Sequence, residues 1–208
     1  MRPTTRPAPI GLVDYGAGNF TSVANALRHL GLRFEPVRTA EDLDRTDRVI
    51  LPGVGAFGAC RRRLDGAGLT DPLKALIRDG ERPFLGICVG MQLLASVGRE
   101  FGDHDGLGAI AGEVRRIDAN GLRLPHVGWN VVEHADDPLF SGLSGQPAFY
   151  FVHSYHLVPA DPSHVIARCT YGEYVTSAVR VGSAWGVQFH PEKSQRAGLR
   201  LLRNFAHV

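Results

Sequence analysis

The chain has 208 residues, of which 44% are hydrophobic and 21% charged, so it can bury a sizeable core and has the composition of a globular protein. The formal net charge of +2 and the lack of any basic run interleaved with aromatic residues argue against nucleic-acid binding. Because the three cysteines cannot all pair and match no zinc spacing, and no apolar run is long enough to span a membrane, we expect a cytoplasmic protein without a metal site.

The N-terminal segment Met1–Pro9 combines arginine, threonine and proline and lacks the apolar stretch of a signal peptide. We expect it to form a disordered tail. Residues 10–208 contain no internal repeat and no recognisable linker, which predicts one domain.

The first strand is predicted at Ile10–Asp14 and leads into a glycine-rich turn, Tyr15–Asn19, followed by a helix that ends at Gly31. This turn lacks the third glycine of a dinucleotide fingerprint and the Gly-Lys-Ser/Thr ending of a phosphate loop. We therefore interpret it as a tight strand-to-helix turn. Short strands are expected at Phe34–Val37 and Arg48–Leu51.

The third strand runs into a second glycine-rich loop, which contains Gly53, Val54 and Gly55. Glycines on both sides of one residue allow a peptide group to reorient and to approach a ligand. The loop could supply an N–H donor to an oxyanion, although, when it is taken alone, a plain strand-to-helix loop is the favoured interpretation. Helical patterns follow over 59–64 and 72–79.

A nucleophile turn is predicted at Cys88, which lies between Gly86 and Gly90. The apolar pair 84–85 before it is typical of a central parallel strand. Glycine two residues to each side is the pattern of a nucleophile elbow, because the strained turn leaves no room for neighbouring side chains. The start of the next helix would favour a thiolate, and the Val89 N–H would point at the developing oxyanion.

The helix after this turn is expected to continue through Leu94 and Val97. A buried structural thiol is the alternative interpretation of Cys88, and it is the one that we adopt for Cys60 and Cys169. Cys88 can be interpreted as a catalytic nucleophile only if the chain also supplies a general base.

The second half of the chain is dominated by strands, expected at 113–117, 131–132, 148–152, 165–169, 177–181 and 184–189. Since the first half alternates strands and helices, we predict an α/β fold: a mostly parallel central sheet flanked by helices, with an additional antiparallel section.

The base is predicted at His190, which follows the last strand and is separated from Glu192 by a proline. If Pro191 keeps this segment extended, the imidazole and the carboxylate project to the same side. A carboxylate-oriented histidine is what a thiolate nucleophile requires, whereas His-x-Glu offers at most two metal ligands. Ser194 is expected to cap the C-terminal helix.

The stretches Gly86–Gln92 and Gln188–Glu192 resemble the motifs of class I (triad) glutamine amidotransferases. Within that family, four further stretches are similar to glutaminase subunits of imidazole glycerol phosphate synthases: Asp14–Asn19, Pro52–Phe57, Leu124–Asn130 and Tyr150–Tyr155. The resemblance covers the chain from Ile10 to its end. It departs from the family at Val89, where leucine is more usual, and in the loop Ser96–Asp105, which is less rich in serine and glutamate.

The resemblance implies that the Cys88 thiolate attacks the carboxamide of glutamine, that His190 protonates the leaving ammonia and later activates water, and that Glu192 orients His190. It implies an oxyanion site formed by backbone N–H groups at Val89 and, after a peptide flip, at the loop residues Val54 and Gly53. The implied glutamine-binding residues are Gln92, Gly55, Tyr150, Val152, His153 and Ser154. No cofactor is implied, and the candidate partner contacts are Tyr15, Asn19 and Trp129, although a core position suits Trp129 equally well.

The implied partner is a (β/α)₈-barrel cyclase, which forms a heterodimer with the glutaminase and uses the ammonia. That reaction yields imidazole glycerol phosphate and aminoimidazole carboxamide ribotide in histidine biosynthesis. Because ammonia released to water would protonate and escape, we expect the glutaminase to work only when docked, and a mobile glycine loop offers a switch.

Three alternatives remain open at the level of the sequence. A paralogous glutaminase subunit could supply ammonia to a sugar amidotransferase in surface glycan synthesis. A catalytically inactive regulatory subunit is less compatible with an intact set of Cys88, His190 and Glu192. A stand-alone cysteine hydrolase would act on a different amide without a partner.

Overall fold

The structure is a computed structural model that describes residues 9–208. The predicted tail lies outside these residues except for Pro9, which is buried and whose carbonyl accepts a hydrogen bond from the Asp47 N–H (3.2 Å). In the described part of the chain no helix is long and apolar enough to cross a membrane.

The strands are β1 (Ile10–Val13), β2 (Phe34–Val37), β3 (Arg48–Gly53), β4 (Phe84–Cys88), β5 (Ala95–Gly98), β6 (His104–Asp105), β7 (Ile110–Arg116), β8 (His126–Val131), β9 (Glu133–His134), β10 (Ala148–His153), β11 (Tyr155–Pro159), β12 (Val165–Tyr171), β13 (Glu173–Val181) and β14 (Ala184–Val187). The helices are α1 (Phe20–His29), α2 (Ala40–Leu43), α3 (Phe57–Gly66), α4 (Thr70–Asp79), α5 (Val89–Gln92) and α6 (Gln195–Phe205).

The largest sheet has eight strands in the order β2-β1-β3-β4-β14-β13-β12-β9. Pairing is parallel from β2 to β14 and antiparallel from β14 to β9. All residues of β1 and β4 are buried, as expected for parallel strands covered on both faces. With the helices that flank it, this topology confirms the predicted α/β fold and its antiparallel section.

The carboxyl ends of β3, β4 and β14 lie side by side at one edge of this sheet, because β4 pairs in parallel with both neighbours. Gly53 at the end of β3 is in register with Cys88 at the end of β4. In open α/β sheets, ligands bind outside the carboxyl ends of the strands. The topology therefore brings the glycine loop, the cysteine turn and the segment after β14 to one place.

Two smaller sheets complete the described fold. One has four strands in the order β11-β7-β5-β6, and the other pairs β8 with β10 in antiparallel register. In the latter, Trp129 lies opposite Tyr150 and His126 lies opposite His153.

Several expected boundaries were wrong. The helix after the cysteine turn ends at Gln92, and Ala95–Gly98 forms a strand, because its backbone pairs with β7 and β6. The strand expected at 131–132 instead spans His126–Val131, where alternating buried and exposed residues suit a two-stranded pair. The Ser194 hydroxyl does not cap α6, because it donates to the His190 carbonyl (2.6 Å).

Candidate active site

The backbone at Cys88 has the strained geometry of a nucleophile turn. Its φ of 55° and ψ of −111° lie where residues with a side chain are rarely found, and strain of this kind is concentrated at functional sites. Cys88 is the last residue of β4 and is 4% exposed. The predicted elbow is therefore present in the geometry as well as in the spacing.

Glycine is required around this turn because three backbone segments pack directly against each other. A Cβ atom on Gly90 would lie 1.9 Å from the Leu51 carbonyl oxygen, and one on Gly86 would lie 2.4 Å from the Gly90 carbonyl oxygen. A Cβ atom on Gly53 would lie 2.7 Å from the Gly90 nitrogen. The glycine loop and the cysteine turn are thus held in contact by the absence of side chains.

His190 and Glu192 form a buried hydrogen-bonded pair. The His190 Nδ1–H donates to Glu192 Oε1 (2.8 Å), which also accepts from Asn19 Nδ2 (3.2 Å). The two side chains are 2% and 0% exposed. The segment is not extended as we expected: Pro191–Lys193 forms a 3-10 turn, and this turn brings the carboxylate back to the ring.

The proton on His190 is stabilised by its neighbours. Burial alone lowers the pKa of His190, but the interactions of the ring with Cys88 and Glu192 outweigh it and raise the pKa to about 10. The buried Nε2 atom has no hydrogen-bond partner within residues 9–208. At neutral pH the ring is therefore a cation with a proton available at Nε2.

A cavity of about 550 Å³ opens over Cys88 and His190. This is within the range of small-molecule sites. Of the residues predicted to form the oxyanion site or to bind glutamine, those that line the cavity are Val54, Gly55, Val89, Gln92, Val152, His153 and Ser154. Gly53 and Tyr150 do not line it.

Both ring nitrogens of His153 already have hydrogen-bond partners within the protein. Its Nδ1–H donates to the Tyr155 carbonyl (2.9 Å), so its Nε2 atom accepts from His126 Nδ1–H (3.0 Å). Burial lowers the pKa of His153 to about 3 and that of His126 to about 4, which keeps both rings neutral. Only the backbone of His153 remains for a ligand.

The predicted contact residues lie in different environments. Tyr150 packs edge-to-face against Trp129 (6.3 Å between ring centroids), and its carbonyl accepts from the His190 N–H (2.9 Å). Trp129 is 48% exposed, so it is not a core aromatic. Tyr15 is buried at 6% exposure and its hydroxyl donates to the Pro52 carbonyl (3.0 Å), so its assignment as a partner contact stays a prediction. Asn19 is half-buried and donates from Nδ2 to Glu192, and its assignment as a partner contact stays a prediction.

Three residues of the site were missed. Glu100 and Arg116 line the cavity, and Gln188 donates from Nε2 to the Cys88 sulfur (3.6 Å). Glu100 lies in the segment that we interpreted as a polar loop, and Arg116 lies in a segment that we interpreted as an ordinary strand. Gln188 lies inside the stretch Gln188–Glu192, and its position two residues before the base was the available signal.

Comparisons with known proteins identify the relatives of this chain. Residues 11–208 match the family model described as glutamine amidotransferase class-I. The chain is 47% identical over 207 residues to the imidazole glycerol phosphate synthase subunit HisH of Rhodospirillum rubrum. The alignment covers 94% of this chain and 97% of that protein. It is 44% identical over 207 residues to the chloroplastic imidazole glycerol phosphate synthase hisHF of Arabidopsis thaliana, covering 98% of this chain but 35% of that longer protein.

Solved structures share the fold at lower sequence identity. A crystal structure of a glutamine amidotransferase superimposes with a TM-score of 0.74 at 24% identity, covering 94% of this chain and 96% of the other. The PurLQS structure from Thermotoga maritima has a TM-score of 0.74 at 19% identity, covering 96% and 98% of the two chains.

Proposed function

We propose that this chain, which belongs to the class I glutamine amidotransferase family, is the glutaminase subunit of an imidazole glycerol phosphate synthase in histidine biosynthesis. The observation that carries the proposal is the convergence of Cys88, His190 and Glu192 beside one cavity. Similarity to HisH subunits over nearly the whole chain supports the pathway, and the sugar amidotransferase alternative is not favoured.

The first half-reaction forms a thioester. The Cys88 thiolate adds to the carboxamide carbon of glutamine, and the carbonyl oxygen becomes an oxyanion. The Val89 N–H at the start of α5 is the donor proposed to stabilise it. When the carbon–nitrogen bond breaks, His190 transfers its Nε2 proton to the nitrogen, so that ammonia leaves and the imidazole becomes neutral.

The second half-reaction regenerates the thiol site. Neutral His190 accepts a proton from water at Nε2 while the water oxygen attacks the thioester carbon. The carbon–sulfur bond breaks, the new side-chain carboxylic acid loses its proton to solvent and leaves as glutamate, and Cys88 is again a thiolate beside a protonated histidine. Glu192 holds Nδ1–H throughout, so that Nε2 is always the atom that exchanges protons.

The cavity also carries charges that suit a free amino acid. Glu100 lies on one wall, where its carboxylate accepts from the Phe57 N–H (2.7 Å). Arg116, an exposed cation, lies on the same cavity. We propose that Glu100 attracts the α-ammonium group of glutamine and that Arg116 attracts its α-carboxylate.

The glycine loop is built to rotate at one peptide. The carbonyls on either side of the Gly53–Val54 peptide accept hydrogen bonds from buried side chains: Pro52 from the Tyr15 hydroxyl (3.0 Å), and Val54 from the Cys60 thiol (3.3 Å). Burial raises the pKa of Tyr15 and of Cys60, so both remain protonated donors. This arrangement supports the proposed flip, in which the Val54 N–H turns towards the oxyanion while its neighbours stay fixed.

The partner is proposed to be a cyclase of the (β/α)₈-barrel type that consumes the ammonia. The length of the Arabidopsis hisHF protein, of which this chain covers 35%, is consistent with a second functional part. The exposed face of β8 and β10, with Val127 (56%), Trp129 (48%) and Val131 (43%), is an apolar surface close to His190 and is our candidate for the contact.

The test is glutamate release from glutamine by the purified chain, alone and with a cyclase subunit and its nucleotide substrate. We expect little release by the chain alone and a large increase in the complex that is lost in Cys88→Ala. No increase with the cyclase would reject the histidine-pathway assignment. Equal activity of Cys88→Ala would reject the nucleophile.

A further inference from the structure

A chain of hydrogen bonds runs through the protein interior behind Cys88. Gln188 follows β14, is fully buried, and donates from Nε2 to the Cys88 sulfur (3.6 Å). Its Oε1 atom accepts from Gln92 Nε2 (3.1 Å), and the same Gln92 nitrogen donates to the Tyr155 carbonyl (3.0 Å). Two buried amides therefore connect a backbone carbonyl to the reacting sulfur.

The Tyr155 carbonyl determines the direction of all the hydrogen bonds in this series. The Tyr155 carbonyl can only accept, so Gln92 must present its nitrogen to it. The second hydrogen on that nitrogen meets Gln188 Oε1, and this leaves the Gln188 nitrogen on the side of Cys88. Rotating either amide by half a turn would bring two oxygen atoms, or two N–H groups, against each other.

A donor aimed at sulfur favours the ionised form, because a thiolate accepts hydrogen bonds more strongly than a thiol. The helix after Cys88 cannot supply the full dipole that we expected from the sequence, since α5 has only four residues. A neutral amide provides the stabilisation without adding a charge that would compete with His190.

We propose that Gln188 is a further residue of the reaction centre, which donates to the Cys88 thiolate, and that Gln92 is a positioning residue that locks the Gln188 amide in its donating orientation. This inference rests on the proposed function, in which Cys88 is the nucleophile. It also limits Gln92 as a ligand-binding residue: its nitrogen is committed within the protein, and Oε1 alone is left to face glutamine.

The direct test is the pH dependence of Cys88 alkylation by iodoacetamide in the purified chain. Alkylation follows the thiolate fraction, and Cys88→Ala gives the background from the buried Cys60 and Cys169. Replacing Gln188 by methionine keeps the length of the side chain but removes the donor. We expect the pH at half-maximal rate to rise by about one unit in Gln188→Met. An unchanged midpoint would overturn the proposal.

A double-mutant cycle separates this role from a general structural one. Gln92→Met should raise the midpoint less than Gln188→Met, since the Gln188 amide remains but is no longer held. In the double variant the midpoint should equal that of Gln188→Met, because Gln92 acts only through Gln188. Additive shifts would reject the positioning role. The cycle also keeps the proposal testable if Gln188→Met does not fold, because Gln92→Met must then still shift the midpoint.

The matched control is Ser177→Ala. Ser177 is fully buried on the neighbouring strand, and its carbonyl accepts from the Gln188 N–H (2.8 Å), but its hydroxyl is not part of the chain. It should leave the midpoint unchanged; a shift as large as that of Gln188→Met would overturn the proposal.

All these variants retain the other ionisable groups that interact with Cys88 or lie beside it, namely His190, Glu192, Tyr15 and Cys60. Failure of the cyclase to stimulate the wild type would instead reject the proposed function, since alkylation needs neither glutamine nor a partner.

Discussion

Replacing Glu192 by glutamine removes a charge from the site while preserving its shape. The amide oxygen can still accept from His190 Nδ1–H and from Asn19 Nδ2, the two groups that now donate to Glu192 Oε1. The imidazole therefore keeps the same tautomer, with Nε2 free. Any change in catalysis reports the loss of the negative charge and not a rotation of the ring.

The size of the effect follows from the strength of the hydrogen bond. A bond to a charged group contributes about 1.5–3 kcal/mol and a neutral one about 0.5–1.5 kcal/mol, so the loss is about 1–1.5 kcal/mol, or about one pH unit. Cys88 and Glu192 raise the pKa of His190 to about 10, and the catalytic proton is lost as the pH rises through that value. In Glu192→Gln the alkaline limb of the pH–rate profile should therefore move down by about one unit, with a smaller change at neutral pH.

The assay is kcat for glutamine hydrolysis in the presence of the proposed cyclase partner, measured across the alkaline range. The matched control is Glu100→Gln, which removes the other carboxylate near the cavity without touching His190. This control should raise KM and leave the alkaline limb in place. If Glu192→Gln lowers kcat at every pH but its alkaline limb coincides with that of the wild type, Glu192 does not hold the proton on His190 and the argument fails.

Three further predictions concern the scaffold of the site. Gly90→Ala should abolish glutaminase activity and lower the melting temperature, because the new Cβ atom would lie 1.9 Å from the Leu51 carbonyl oxygen. Cys60→Ala should lower the partner-stimulated rate about two- to fivefold, since it releases the Val54 carbonyl, whereas Cys60→Ser and the remote Cys169→Ala should not. His153 alone should make the free energy of unfolding, measured with urea, fall by about 2 kcal/mol between pH 7 and pH 5. Burial lowers the pKa of His153 to about 3, so only the unfolded chain takes up this proton in that pH range. A free energy of unfolding that does not change between these pH values would contradict the prediction.

The positions of the main chemical groups could be predicted because the backbone constrains their neighbours. Gly86 and Gly90 must be glycine for the turn at Cys88 to exist, and this need is visible as a spacing. The pair His190 and Glu192 is also local, although the turn that joins them differs from the extended segment we expected. The parallel core strands were recognisable from short apolar runs bounded by glycine.

Features that depend on tertiary contacts could not be derived in this way. The strand β5 follows the cysteine turn with a sequence that suits a helix, and only pairing with β6 and β7 determines its structure. Tyr15 lies in a turn that we interpreted only as a tight strand-to-helix connection, and its buried hydrogen bond to the Pro52 carbonyl depends on a residue 37 positions away in the chain. Gln188 acquires its role from Gln92, which lies 96 residues away in the chain.

The protons in this site have fixed positions because each series of hydrogen bonds ends on a group that can only accept a hydrogen bond. On one side, the Glu192 carboxylate holds Nδ1–H of His190 and leaves the Nε2 proton for the substrate. On the other side, the Tyr155 carbonyl fixes the Gln92 amide and, through it, the N–H groups of Gln188 that face Cys88. The same carbonyl accepts from His153, which joins the strand pair carrying Trp129 to this network. A partner that moves β8 and β10 would therefore act on the carbonyl that orients the donors to the nucleophile, a physical route by which docking can change the reactivity of Cys88.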